Sequence, residues 1–118
     1  MREEIASGAT IQQEVQGEVI ILHMTGQMRE MGADALRDEL DKLLEKGHYK
    51  LVFDLSDITF ISSVGLGQLM RAFRVTTSNG GYVRVVNPQP LVEEVFRFTK
   101  LHTLIHIYPT VEAAVQAG

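Results

Sequence analysis

Leu51 to Met70 read LVFDLSDITFISSVGLGQLM, and this stretch decides the fold of the chain. The apolar run over residues 51–55 does not alternate with polar residues, which predicts a strand covered on both faces. Asp54 and Asp57 predict a short acidic turn. A second apolar stretch follows, and after it two serines lie at the predicted start of a helix. A hydroxyl there lies among unpaired backbone N–H groups at the positive end of the helix dipole, where a phosphate group is favoured. The hypothesis to weigh against simple helix capping is therefore a phosphorylation switch with Ser63 as the switch residue.

Strands and helices follow one another on both sides of this stretch. A hairpin with a Gln16-Gly17 turn is predicted before it, and Gly47 and residues 79–81 end two helices. Residues 1–8 are predicted to be a loose lead-in. The predicted strands cover residues 10–14, 18–24, 51–55, 82–86 and 105–108. The predicted helices are residues 33–46, the segment after Ser63, a segment with Leu91, Val95 and Phe98 on one face, and a last segment with Val111, Ala114 and Val115.

This order predicts one α/β domain with a mixed sheet and helices packed mainly on one side. The Ser63 loop should then lie at the carboxyl end of the central strand, where α/β proteins usually carry their sites. The 118 residues suffice for one core, and the net charge of −4 disfavours nucleic acid as a partner. With no cysteine, no apolar run of membrane-span length and no signal core, we expect a cytoplasmic protein without disulfides or a membrane anchor.

The residues FISSVGLG at positions 60–67 resemble the motif of the anti-sigma factor antagonists, a family with the STAS domain fold. The similarity extends to Met-Thr-Gly at 24–26, Asn-Gly-Gly at 79–81 and Ile-Tyr-Pro-Thr at 107–110. It implies a single STAS-like domain over residues 1–118, with a mixed sheet of four to five strands and four helices mainly on one face. On this alignment Ser63 matches the phosphoacceptor serine. Ser62 replaces an aspartate, Val64 replaces a hydroxyl residue, and Arg29 stands where many relatives carry an acid.

The resemblance also implies a function. The unphosphorylated protein would bind an anti-sigma factor that is also a serine kinase, and so release a sigma factor. That kinase would phosphorylate Ser63, and a phosphoserine phosphatase would reset the system. The chain would be their substrate, not an enzyme, and would need neither a cofactor nor a metal. The partner-binding residues predicted from the motif and the loop before the first helix are Ser62, Ser63, Val64, Gly65, Gly67, Gly26 and Arg29.

Several alternatives stay open on the residues alone. Ser62 and Ser63 could serve only as helix caps, which would make the protein an unmodified scaffold or a subunit of a sensor complex. Gly65 and Gly67 could admit a partner backbone or permit tight packing, but no Gly-Lys-Ser/Thr follows them, which disfavours a nucleotide-binding loop.

Two further kinds of site are disfavoured. Asp54 resembles the phosphoacceptor of receiver domains, yet Met-Thr-Gly stands where their acidic pair should be. His102 and His106 have a loose metal-ligand spacing, but they fall on a predicted loop and strand.

Overall fold

The computed structural model describes residues 3–6 and 8–118, with residues 3–6 described by their backbone alone. Six strands form one sheet in the order β1-β2-β3-β4-β5-β6. The strands are β1 Glu3–Ala6, β2 Ala9–Gln16, β3 Val19–Met28, β4 Lys50–Ile61, β5 Tyr82–Val86 and β6 Ile107–Tyr108. The helices are α1 Glu30–Glu45, α2 Ser63–Ser78, α3 Pro90–Phe98 and α4 Val111–Gln116, and a 3₁₀ turn covers Leu101–Thr103.

The sheet is mixed, which confirms the predicted fold class. Strands β1 to β3 pair antiparallel, and β3 to β6 pair parallel through helical connections. The sheet has one strand more than the four to five expected. The additional strand β1 lies inside the predicted loose lead-in and pairs with the outer edge of β2, from Glu3 opposite Gln12 to Ala6 opposite Ala9. Residues 1, 2 and 7 of that lead-in lie outside the described residues.

The predicted acidic turn after residue 55 is wrong, because β4 continues without a break to Ile61. The strand stays paired with β3 through two bulges. In the first, Leu55 and Ser56 stand opposite Met24 alone, and in the second Thr59 has no counterpart on β3. The bulges absorb the residues that the sequence pattern assigned to a turn.

Helices α1, α2 and α3 cover one face of the sheet, and the short α4 covers part of the other. The larger core joins the apolar side of α1 to strands β2 to β5, with Leu36, Leu40 and Phe53 fully buried. The smaller core holds α4 against the sheet through Ala114, next to Ile21 and other strand residues. Helices packed mainly on one face are therefore confirmed.

Arg84 fastens α4 to the sheet from the middle of β5. Its guanidinium lies 3.6 Å from the centre of the Tyr82 ring and donates to the carbonyl oxygens of Ala114, Ala117 and Gly118 at 2.8 to 3.1 Å. A positive charge at a helix C-terminus satisfies the last carbonyl groups and complements the helix dipole.

The helix predicted from Leu91, Val95 and Phe98 is confirmed as α3, but other residues form its buried face. Val92 and Phe96 point into the core, whereas Leu91 is 61% exposed and Phe98 is 88% exposed. Each face carries apolar side chains and one phenylalanine, and the face with Val92 and Phe96 is the one that packs into the larger core. The final strand is also shorter than the predicted 105–108, because Ile105 is buried in the core before the strand begins.

Candidate functional site

The end of β4 and the start of α2 lie against the end of β3. Ser62 is the N-cap of α2, and its hydroxyl accepts a hydrogen bond from the backbone N–H of Gly65 at 3.1 Å. The backbone N–H of Ser62 in turn donates to the carbonyl oxygen of Met28 at 2.8 Å. These two bonds place the first turn of α2 next to the residues that lead into α1.

Ser63 is the first residue of α2, and its side chain is exposed. Within residues 3–6 and 8–118, no group hydrogen-bonds to its hydroxyl. Capping and exposure are thus divided between the two serines, because Ser62 satisfies the helix end and Ser63 does not. A modifying enzyme could reach the Ser63 hydroxyl without breaking a cap.

The two glycines of α2 have different surroundings. Gly65 is buried, and a Cβ atom there would lie 2.9 Å from Cγ1 of Ile61 and 3.0 Å from Cγ of Met28. Gly67 is exposed, and a Cβ atom there would have no described atom within 4 Å apart from its neighbours in the helix. Tight packing accounts for the glycine at position 65. At position 67 the space in front of the helix is open, which is compatible with the approach of a partner backbone.

Gly26 lies at a close approach of two chain segments. Its φ is +89°, and a Cβ atom would lie 1.9 Å from the carbonyl oxygen of Gly8. The next residue, Gln27, donates its backbone N–H to that same oxygen at 2.7 Å. The geometry of the β2–β3 pairing accounts for a glycine at this position.

Arg29 is exposed and precedes α1 as its N-cap residue, without a side-chain capping bond. Its guanidinium carbon lies 4.5 Å from the centre of the Phe60 ring, which is a cation–π distance, and its Nε–H donates to Oε1 of Gln27 at 2.9 Å. Arg29 and Phe60 line a shallow cleft of about 340 Å³ together with Glu30, Met31 and Ser62.

We call the exposed area formed by Arg29, Met31, Phe60, Ser63 and Val64 the switch surface. Three of its side chains are apolar and stand in solvent, with Met31 61%, Phe60 36% and Val64 45% exposed. Apolar side chains grouped next to a charged residue and a free hydroxyl are typical of a surface that binds another protein. Of the seven residues predicted to bind a partner, Arg29, Ser63 and Val64 belong to this surface and Ser62 lines the adjoining cleft.

A polar cluster that the sequence analysis did not assemble lies across β2, β3 and β4. Protonated His23 donates Nδ1–H to Oδ2 of Asp54 at 2.7 Å and Nε2–H to Oε1 of Glu14 at 2.8 Å. The backbone N–H of Ser56 donates to the other Asp54 oxygen at 3.1 Å. Asp54 therefore stabilises a bulge rather than a turn, and the β3–β4 register, which puts His23 beside Asp54, is the signal that could have revealed it.

Each ionisable group of this cluster favours its charged form. Burial lowers the pKa of His23, but the hydrogen bonds to Glu14 and Asp54 outweigh it and raise that pKa above 6.5. Burial raises the pKa of Asp54, but hydrogen bonds from Ser56 and His23 bring it below 3.8. The pKa of Glu14 falls below 4.5 through hydrogen bonds from Gln16 and His23. The cluster is an ion-paired support for the bulged strand.

The remaining histidines and acids do not assemble into a site. His102 approaches the carbonyl oxygen of Phe96 at 3.3 Å through Nδ1. Among the side chains of residues 8–118, no group of three His, Cys, Asp or Glu is arranged to hold a metal ion. Within the same range, no helix is both long and apolar enough to cross a bilayer.

Comparison with known proteins gives a consistent result. The family model described as STAS domain matches residues 10–114. A Thermotoga maritima protein provisionally named an anti-sigma factor antagonist is 34% identical over 64% of this chain and 67% of its own length. The anti-sigma-B factor antagonist of Bacillus subtilis is 29% identical over 82% of this chain and 88% of its own length.

The solved structures agree with this. The crystal structure of an anti-sigma factor antagonist from Mycobacterium paratuberculosis has a TM-score of 0.79 and 25% identity, over 91% of each chain. The order of strands and helices, the motif at residues 60–67 and the match over residues 10–114 all lead to one conclusion. This chain belongs to the STAS domain family.

Proposed function

We propose that this protein is an anti-sigma factor antagonist that is controlled by phosphorylation of Ser63. In its unphosphorylated form it binds an anti-sigma factor that is also a serine kinase, and a sigma factor is released. Relatives named as anti-sigma factor antagonists support the first part of this proposal. The observation that carries the second part is the division of roles between Ser62, which caps α2, and Ser63, which is exposed.

The switch surface supports this function by its composition. Its three exposed apolar side chains can bury area against a partner, and Arg29 adds a positive charge at the edge. The first turn of α2 contains no acidic residue that would repel an added phosphate. The helix dipole favours a negative charge at that end by about 0.3–1 kcal/mol, so that the modification is tolerated by the fold while the surface changes.

The chemistry would be supplied by the partner proteins. The Ser63 oxygen attacks the γ-phosphorus of ATP held by the kinase, the bond from that phosphorus to the ADP oxygen breaks, and the hydroxyl proton passes to a base of the kinase. The phosphoserine carries about −1.5 to −2 charges at neutral pH, which repels an acidic surface or one that still holds nucleotide phosphates. A phosphatase then hydrolyses the ester and restores the hydroxyl.

The test is affinity capture from the native cell extract with four baits, namely wild type, Ser63→Ala, Ser63→Glu and Ser78→Glu. Ser78 is exposed at the far end of α2, so that its variant adds the same charge away from the switch surface. We expect one ATP-binding kinase to be captured by every bait except Ser63→Glu, and phosphopeptide mapping to find phosphate on Ser63 of the wild type. If all four baits retain the same partners and Ser63 carries no phosphate, the protein is instead an unmodified scaffold or sensor-complex subunit.

A further inference from the structure

Arg29 has hydrogen-bonding capacity that the folded chain leaves unused. A guanidinium has five N–H donors. Among residues 8–118, the hydrogen-bond acceptor of Arg29 is the amide oxygen of Gln27, and no carboxylate lies within ion-pair distance. Arg29 is exposed, and its guanidinium carbon lies 4.5 Å from the centre of the Phe60 ring. The side chain is therefore positioned but not neutralised.

Arg29 and the start of α2 belong to the same small region. Arg29 and Ser62 line one cleft with Phe60. The backbone N–H of Ser62 also donates to the carbonyl oxygen of Met28, which directly precedes Arg29. Ser63 directly follows Ser62, so an anion attached to it would lie at the first turn of α2 and next to the residue that lines the cleft with Arg29. The described acidic side chain in this cleft is Glu30, which is exposed.

We propose that Arg29 binds the phosphate carried by Ser63 in the phosphorylated protein, an inference that rests on the phosphorylation proposed above. A guanidinium can pair with a phosphate through two parallel N–H bonds, and such a pair is stronger than the cation–π contact of an exposed arginine. Arg29 therefore leaves the Phe60 ring when Ser63 is phosphorylated.

This exchange changes the switch surface in two ways at once. The phosphate adds negative charge at the start of α2, and the positive charge of Arg29 is no longer available to a partner. The Phe60 ring also loses its cover. Arg29 would thus be a positioning residue for the phosphate, and a lysine in its place would keep the charge but lose the two-bond geometry.

The experiment uses protein into which phosphoserine has been incorporated at position 63 during translation, so that no natural kinase is needed. The second ionisation of the phosphate, ordinarily near about 6, is followed by ³¹P NMR in wild type, Arg29→Gln and Arg74→Gln. Arg74 is exposed on α2 about three turns from Ser63, so that its variant removes the same charge at a distance. We expect the phosphate pKa in Arg29→Gln to be higher than in the other two proteins by about half a unit or more.

A second measurement follows the ring protons of Phe60 by NMR. We expect phosphorylation to shift them in wild type and in Arg74→Gln, and to leave them nearly unchanged in Arg29→Gln, where no guanidinium covers the ring. Equal phosphate pKa values in all three proteins, with equal Phe60 shifts, would overturn the role of Arg29. If partner release by phosphoserine persisted alongside that result, the proposed function would stand and the Arg29 inference alone would fail.

Discussion

The two glycines of α2 allow the packing role and the binding role of the motif to be separated. We consider the variants Gly65→Ala and Gly67→Ala, which add the same methyl group two residues apart on one helix. The added carbon at position 65 meets Ile61 and Met28 at 2.9 and 3.0 Å, and both of those side chains are buried. The added carbon at position 67 projects into open space.

These contacts set the size of the effect on the free energy of unfolding. Overpacking a filled core costs about 1–3 kcal/mol, and alanine in a helix recovers about 0.5–1 kcal/mol relative to glycine. Gly65 lies in the first helical turn, where the recovery is smaller. We therefore expect Gly65→Ala to lose about 0.5–2.5 kcal/mol and Gly67→Ala to gain about 0.5–1 kcal/mol.

Urea unfolding, followed by circular dichroism and extrapolated linearly, resolves a difference of this size between two variants. The slope of the transition should match that of wild type, so that midpoints compare directly. A Gly65→Ala protein as stable as wild type would refute the packing argument. For Gly67→Ala, we expect the affinity for the anti-sigma factor to fall although stability rises, and unchanged affinity would show that no partner backbone approaches there.

Three further changes test other parts of the structure. Ser62→Ala removes the cap of α2 and should cost about 1 kcal/mol in urea unfolding, whereas Ser63→Ala should cost less than about 0.5 kcal/mol, and equal losses would contradict the assignment of the cap. Arg84→Gln leaves three carbonyl oxygens of the α4 end without their cation and should cost about 2 kcal/mol in the same assay; a loss below about 0.5 kcal/mol would show that α4 does not depend on it. His23→Gln tests pH dependence. The raised pKa of His23 gives stability that is present below pH 6.5 and lost as pH rises through the folded value, while the lowered values of Glu14 and Asp54 give stability that is lost as pH falls through theirs. The stability deficit of His23→Gln should therefore be largest near pH 5.5 and shrink towards pH 9, and a deficit independent of pH would refute the ion-paired cluster.

The order of strands and helices could be predicted because local patterns decided it. Unbroken apolar runs marked the parallel strands, and helical spacing of leucines marked α1. The position of Ser63 at the end of the central strand followed from the same patterns. Its exposure did not, because only the structure divides capping and exposure between Ser62 and Ser63.

The errors arise where distant residues decide the outcome. Strand β1 forms because the edge of β2 is available for pairing, and the residues of β1 carry no strand pattern that predicts it. On α3 both faces carry apolar side chains, and the sheet beneath selects Val92 and Phe96. The polar cluster needed the register of three strands, since Glu14, His23 and Asp54 are far apart in the chain.

The two bulges of β4 determine which residues of the strand face the core, so the number of residues between them matters as well as their identity. The β4 residues that belong to the larger core are at positions 51, 53, 55, 58 and 61, so that each bulge moves the core-facing side of the strand by one position. Loss of Thr59, which has no counterpart on β3, would leave Ile58, Phe60 and Ile61 in regular alternation opposite Gly26, Gln27 and Met28, whereas loss of a paired residue such as Phe60 would change the register of the residues that follow it. Deletion of the bulge residue Thr59 should therefore preserve the pairing of β3 with β4, whereas deletion of one of its paired neighbours should not, so natural variation in the number of residues here should be confined to the bulges.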